Sequence, residues 1–358
     1  MTTVGVPAEI KDQERRVSLV PTSVAQACLS GARVLVQAGA GEGAGFPDER
    51  YLAAGAEIVP TAEDAWSADL VVKVKEPQPS EFRFFRRDLT LFTYLHLAAE
   101  PALAKALAES GVEAYAYETL EEHGTLPLLA PMSEIAGRAA VLHASLLLGK
   151  GKGKLVGGAA GVLPARSLVI GLGVAGTVAA RGLAGLDSDV TGVDIDLERL
   201  RQVAQDGTVD STLGSETAAI GEAVVESDIV IGAALVPGAR APIVITSEHV
   251  KAMKPGSVIV DLAIDQGGCV AGVHPTSHSD PTFLADDVIH YCVTNVPGQF
   301  PRTASRALSA AVSPKLGLLL RDRSHVGLRG ALNTANGKIV HPIVAAALGG
   351  ESPADWDR

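Results

Sequence analysis

Short apolar runs alternate with stretches of helical period along the first third of the chain. Val4–Val6, Ala32–Gln37, Ala68–Val74, Leu89–Tyr94 and Glu113–Tyr117 predict strands. Pro21–Ser30 and Pro101–Ser110, each opening at a proline, predict helices between them. Such a βαβ rhythm predicts a mostly parallel sheet. Pro131–Leu148 reads as one long apolar-rich helix, and the Gly–Lys alternation of residues 149–154 as a flexible charged connection. A second series follows, with strands expected at Ser167–Ile170, Asp189–Val193, Asp228–Gly232, Ser257–Asp261 and near Ile289–Thr294. These runs are apolar throughout, as strands buried on both faces are. From Pro301 the pattern is helical to Leu320 and irregular beyond, and no solenoid repeat is present.

The fold class is therefore α/β, with two doubly wound domains, a natural division for 358 residues. The second is expected as an insertion at 130–299 within a discontinuous domain of 1–129 plus 300–358, bridged by the long helix. A hydrophobic fraction of 47% can fill two such cores. The net charge of −11 leaves no basic stripe for nucleic acid, and the brief basic runs Arg83–Arg87 and Lys150–Lys154 read as solvated surface or linker. The start, Met1–Pro7, lacks the basic and apolar regions of a secretory leader, and no uninterrupted apolar run reaches the ~18 residues of a membrane span. Cys28, Cys269 and Cys292 are too scattered for a disulfide framework or a zinc site, so no metal and a cytoplasmic setting are expected.

Candidate chemistry begins at Gly171-Leu-Gly173-Val-Ala-Gly176, directly after a predicted strand and opening an alanine-rich helix. Gly171 suits a tight turn, Gly173 lets backbone approach a pyrophosphate, and Gly176 lets helix and strand pack closely. The helix N-terminus then offers N–H donors to phosphate. Asp194 ends the next strand at the spacing of a ribose-binding carboxylate, which favours NAD over NADP. Asp196 competes for that role, and a purely structural glycine turn beside a surface Asp is the bland alternative. On the NAD reading, the inserted domain is a Rossmann NAD-binding domain and the flanking one carries substrate and catalysis.

Other strand ends carry ionisable groups. His96 closes Leu91–Leu95, where α/β folds place ligands, and imidazole suits proton transfer near neutrality. Lys73 and Lys75 share one face by period two, with Lys75 nearer the strand end, or are two solvated edge lysines. Arg15 or Arg16 could grip a carboxylate, or form a surface ion pair. Asp265 follows another strand, where it serves a cleft or merely the turn before Gly267-Gly268.

These segments resemble the alanine dehydrogenase family over nearly the whole chain. The resembling blocks include Gly5–Pro7 with Glu9–Lys11 and Glu14–Val17, Val71–Pro77, Leu91–Ala98, Ala116–Thr119, Leu128–Arg138, Gly232–Pro242, Met253–Cys269, Asn295–Gly298 and Pro301–Thr303. The resemblance implies that Arg16 and Lys75 hold substrate and that His96 and Asp265 transfer protons. It further implies that Ser133, Val174, Ala175, Asp194, Arg199, Ala234, Leu235, Asp265, Asn295, Val296, Pro297 and Gly298 contact NAD. L-alanine, pyruvate and ammonia are the implied substrates, in a cytoplasmic homohexamer with no membrane or nucleic-acid partner. This sequence departs from the family pattern at Val296, where Met is expected, at His274, at Gly214 beside Ser215, and in the loop 149–158. The same chemistry on glycine/glyoxylate or serine is the near alternative. The NAD-binding part of a transhydrogenase would lack the His96 block and carry Glu at Asp265. A non-catalytic NAD-binding regulatory protein is the alternative of another class, against which Arg16, Lys75, His96 and Asp265 stand together.

Overall fold

Strand Thr3–Val6 lies between Leu70–Val72 on one side and Arg33–Gln37 on the other, parallel to both. This is the topological consequence of a chain that first winds outward through Arg33–Gln37 and Glu57–Val59, then returns across Thr3–Val6. The computed structural model in which these elements are seen describes residues 1–234, 236 and 240–350. Its described residues divide into two units, one of Met1–Met132 with the residues from Gly298 onward, the other of Ser133–Val236 with Arg240–Pro297.

The first unit is built on an eight-stranded sheet. Its order is Lys338–Ile339, Leu332–Ala335, Glu113–Ala116, Thr90–Thr93, Leu70–Val72, Thr3–Val6, Arg33–Gln37, Glu57–Val59. The reversal of winding leaves a crevice at the carboxyl ends of Thr3–Val6 and Leu70–Val72, where such sheets bind ligands. Leu332–Ala335 pairs antiparallel with Glu113–Ala116, and Lys338–Ile339 antiparallel with Leu332–Ala335; helix Pro342–Ala347 follows. The expectation of an irregular tail after Leu320 is thus corrected. The signal was Asn336-Gly337, both with positive φ (53° and 78°), the residue pair that two-residue hairpin turns select.

The second unit holds a seven-stranded sheet in the order Thr282–Ala285, Val288–Tyr291, Val258–Asp261, Ile229–Gly232, Arg166–Ile170, Asp189–Asp194, Ser211–Gly214. Setting aside the antiparallel edge Thr282–Ala285, the arrangement is the 3-2-1-4-5-6 order of dinucleotide-binding sheets. Its switch point falls between Arg166–Ile170 and Ile229–Gly232. Both faces are covered: Val169, Ile231 and Val260 pack in one core cluster and Leu168, Val230 and Ile259 in the other. Burial of each such side chain contributes about 1.5–3 kcal/mol, which is why these strands read as unbroken apolar runs.

Two further expectations are revised. The long helix extends over Ala130–Lys152, through most of the supposed flexible connection. Gly151 is there for close packing, since an added Cβ would lie 2.6 Å from the Gly256 carbonyl oxygen. Lys152 and Lys154 are not free solvated charges but donate to Asp228 at 2.8 and 2.7 Å. Burial pushes the Asp228 carboxyl up, but the two lysines and the Arg166 N–H outweigh it and bring it to about 2. Arg86, likewise expected as solvated surface, donates to the carbonyls of Trp66, Ser67 and Ala68.

Candidate active site

In the first unit, three strand ends supply the side chains around the crevice. After Thr3–Val6 the chain runs through Glu9 and Lys11 to Glu14 and Arg16. Arg16 is buried and clamped: its Nε and Nη2 donate to Glu14 Oε1 and Oε2 at 2.7 and 2.6 Å, and its Nη1 meets Met132 Sδ at 3.2 Å. Burial opposes the guanidinium charge, and Glu14 more than restores it, so the Arg16 pKa is raised. Arg15, the other candidate left by the spacing, is exposed.

After Leu70–Val72 come Lys73 and Lys75, neither of them a solvated edge lysine. Lys73 is 1% exposed and pairs with Glu9 at 3.1 Å and Glu81 at 2.9 Å. Glu9 Oε1 also accepts the Val74 N–H at 2.6 Å, so this buried pair holds the backbone that carries Lys75. Removing one member of such a pair strands a buried charge. Lys75 Nζ lies 3.2 Å from Glu76 Oε2, while Lys11 bonds Glu76 Oε1 at 2.5 Å. Burial pushes the Glu76 carboxyl up, yet Lys75, Lys11 and His96 together hold it at about 2.

After Thr90–Thr93 come Tyr94 and His96. His96 has φ 50°, in the left-handed region that a non-glycine residue adopts at a cost. What stabilises it is Glu118, which accepts the His96 N–H at 2.6 Å and the Leu95 N–H at 3.2 Å. The imidazole stacks on Tyr94 (5.8 Å between centroids, 9° between planes). Tyr94 in turn donates its hydroxyl to the Leu128 carbonyl at 2.6 Å. Arg16, Lys75 and His96 are therefore each fixed by a carboxylate: Glu14, Glu76 and Glu118.

The second unit supplies a phosphate cradle. Gly171 has φ 85°, and a Cβ there would lie 2.7 Å from the Ala233 carbonyl oxygen. At Gly176 a Cβ would come within 1.8 Å of the Gly171 carbonyl oxygen, so helix and strand pack through it. At Gly173 an added Cβ would meet nothing within 4 Å. None of the described residues requires its glycine, and the open space suits a ligand brought against the backbone. Gly173 is also the N-cap of helix Val174–Ala184 and offers no side-chain cap, leaving first-turn amides for an anion. A dinucleotide fits this loop. Asp194 is 6% exposed and accepts from Leu172 N at 2.6 Å, Asp196 N at 2.9 Å and Arg199 Nη1 at 3.1 Å. Asp196 caps its own helix, its Oδ1 accepting from Glu198 N and Arg199 N.

Asp265 sits in the short turn Ile264–Gln266 of this unit, and its carboxylate accepts the Asn295 N–H at 3.3 Å. Asn295 itself has φ 58°. The turn is held from below by Asp261, which is 1% exposed and accepts from Ala263, Cys269 and Val270 N–H groups.

The comparisons with known proteins cover both units. A family model described as "Alanine dehydrogenase/PNT, N-terminal domain" matches residues 5–136, and its C-terminal counterpart matches 140–342. The chain belongs to this family. An alanine dehydrogenase of Bacillus subtilis is 49% identical over 97% of this chain and 95% of its own length. One from Mycolicibacterium smegmatis is 46% identical over 96% of each. Among solved structures, an L-alanine dehydrogenase aligns with TM-score 0.90 at 45% identity, covering 97% of this chain and 99% of that one. A transhydrogenase from Sinorhizobium meliloti aligns with TM-score 0.82 at 29% identity, covering 95% and 99%.

The family's two-domain α/β architecture is the one expected from the apolar pattern. Of the other residues expected at the cofactor, Val174 and Arg199 are exposed, Ser133, Ala175, Ala234 and Pro297 are partly so, and Gly298 is buried. Val296 packs into the core of the second unit, 4% exposed. Leu235 lies outside the described residues. Sequence reasoning assigned no role to Glu9, Glu14, Glu76 and Glu118, the carboxylates that position the cations and the imidazole. Glu76 and Glu14 adjoin predicted site residues and could have been found there. Glu118 offered only its place just beyond a strand.

Proposed function

We propose that the chain is an L-alanine dehydrogenase, catalysing L-alanine + NAD+ + H2O → pyruvate + ammonium + NADH + H+ reversibly. The observation that carries this reading is the carboxylate-braced set of Arg16, Lys75 and His96 at the strand ends of one unit. Relatives named alanine dehydrogenase at 45–49% identity supply the substrate.

On this reading Arg16, its guanidinium plane set by Glu14, receives the substrate carboxylate. Lys75 faces the carbonyl or amine carbon and polarises the oxo group in the aminating direction. His96 takes the proton released by water as it adds to the imine, and returns it as ammonia leaves. Asp265 accepts a proton or stabilises positive charge on nitrogen. NAD+, when bound, would supply the hydride acceptor for Cα. Residues Gly171–Gly176 would hold its pyrophosphate, and Asp194 its ribose hydroxyls. By the resemblance, Ser133, Val174, Ala175, Arg199, Ala234 and Asn295–Gly298 would contact the rest, with Leu235, outside the described residues, expected beside them. The domain roles follow: 1–129 plus 300–358 for substrate and 130–299 for NAD.

A cytoplasmic homo-oligomer, hexameric by resemblance, completes the proposal. Leu142 and Leu146 on the long helix (54% and 68% exposed), with Leu155, Val162 and Leu163 beyond it (73%, 61% and 82%), give the second unit apolar surface of the kind subunits cover. No described helix is long and apolar enough to cross a membrane, and the described residues include no group of three or more metal-ligating side chains. The test is NADH oxidation with pyruvate and ammonium beside glyoxylate and hydroxypyruvate. Preference for another oxo acid would move the substrate and keep the chemistry. NADH binding without turnover on any would leave only a binding protein.

A further inference from the structure

Between helix Pro21–Leu29 and helix Pro301–Arg321, both in the first unit, lies a cavity of about 690 Å³ that the proposed chemistry does not use. Its lining includes three arginines, Arg50, Arg306 and Arg321, and no carboxylate. In a chain with 41 acidic residues against 30 basic ones, that segregation of charge is unexpected. Arg50 and Arg306 converge on one ring, their guanidinium carbons 5.4 and 5.7 Å from the Phe46 centroid. Neither guanidinium makes an ion pair with any described carboxylate. Arg321 is anchored from the other end by its Nε, which donates to the Gly317 carbonyl at 2.9 Å. Thr22, Gln26 and Ser313 add hydroxyl and amide donors to the wall. Pro314, inside the longer helix, has no N–H for the Ala310 carbonyl, and both residues line the cavity.

We propose that this cavity is a binding site for a small phosphate-bearing anion, gripped by Arg50, Arg306 and Arg321. Guanidinium groups match phosphate oxygens in geometry as well as charge, and Phe46 keeps two of them ordered before the anion arrives. The volume admits more than inorganic phosphate and suits a metabolite-sized organic phosphate.

The cavity also adjoins the loop that carries Arg16. Ser305 Oγ accepts the Val17 N–H at 3.0 Å and Ser309 Oγ accepts the Val20 N–H at 2.9 Å. Val20 and Ser23 line the cavity, and Ser309 donates to the Ser23 hydroxyl at 2.7 Å. An anion that draws the two helices together therefore tightens the segment from Val20 back to Arg16. Its occupancy should appear as a lower KM for the substrate carboxylate.

The direct test is calorimetric titration of the whole protein with inorganic pyrophosphate, with NADH saturating so that the glycine loop is occupied. The wild-type chain is expected to bind one pyrophosphate per subunit. R50Q/R306Q should weaken that binding about tenfold or more, R50K/R306K should weaken it less, and both should keep their NADH affinity as proof of folding. No pyrophosphate binding by the wild type, or equal affinity in the folded R50Q/R306Q protein, overturns the proposal. Because binding is read without turnover, the result stands apart from the assignment of substrate. Should R50Q/R306Q fail to fold, R306Q alone carries the same comparison.

Discussion

The backbone N–H of His96 donates to Glu118 at 2.6 Å, across 22 residues of sequence, and this bond holds the histidine at φ 50°. A strained backbone at the proposed proton-transfer residue is thereby tied to a buried carboxylate, 5% exposed, that never meets substrate in the proposed chemistry. Replacing Glu118 with Ala leaves two N–H groups, of Leu95 and His96, without their acceptor. Chemical denaturation should show a loss of about 3 kcal/mol. Turnover should fall far more than substrate affinity, and Glu118→Gln should recover part of both.

The glycine loop separates folding from binding. Gly176→Ala places a methyl 1.8 Å from a backbone oxygen, and Gly173→Ala places one in open space. Gly176→Ala is expected to unfold or lower the melting temperature sharply. Gly173→Ala should melt as the wild type does and lose NADH affinity, measured by fluorescence titration. Equal NADH affinity in the Gly173→Ala protein would contradict the cradle.

On the proposed reading, Asp194 and Arg199 set the choice of cofactor. The carboxylate repels a 2′-phosphate while it occupies the Arg199 guanidinium at 3.1 Å. Asp194→Ser removes the repulsion and releases the arginine. The ratio of kcat/KM for NADPH over NADH should rise about tenfold or more, a change of ~1.4 kcal/mol. Adding Arg199→Ala to Asp194→Ser should undo the gain.

Acid should weaken the fold from near neutrality. Burial pushes the His290 imidazole down to about 4, with His274 adding and Asp286 opposing, and burial alone brings His341 to about 4. A histidine whose pKa is lowered by folding stabilises while neutral. Its contribution is intact above 6.5, the ordinary value, and declines as pH falls toward 4, by up to ~1.4 kcal/mol per pH unit for each group. Glu76, held at about 2, adds a loss only below 4.5. His290→Phe keeps a ring stacked on Phe283 and should flatten the decline between pH 6.5 and 5 in denaturation series. An unchanged slope would mean that His290 does not titrate on unfolding.

Much of this was legible in the sequence, for local reasons. The three glycines of the loop announce themselves because their spacing, between an apolar strand and an alanine-rich helix, falls within six residues of chain, and apolar runs announce strands because both faces are covered. What escaped depends on partners far apart. Lys73 reads as a surface lysine until Glu9 arrives from 64 positions away. Glu118 has no local motif, since its partners are the Leu95 and His96 amides, more than twenty residues back in the sequence. Residues 149–154 read as flexible because glycine signals either freedom or close approach, and only the neighbouring Gly256 carbonyl shows which.

On the proposed reading, Arg16, Lys75 and His96 together interconvert L-alanine and pyruvate. The most direct test is the initial rate of NADH oxidation with ammonium and pyruvate, in the wild-type protein and in His96→Ala, with NADH affinity measured in both. Rapid oxidation with pyruvate, reduced about a hundredfold or more in His96→Ala while NADH binds equally well, is the predicted result. Full activity in the His96→Ala protein, or no oxidation by a wild-type protein that binds NADH, would contradict it.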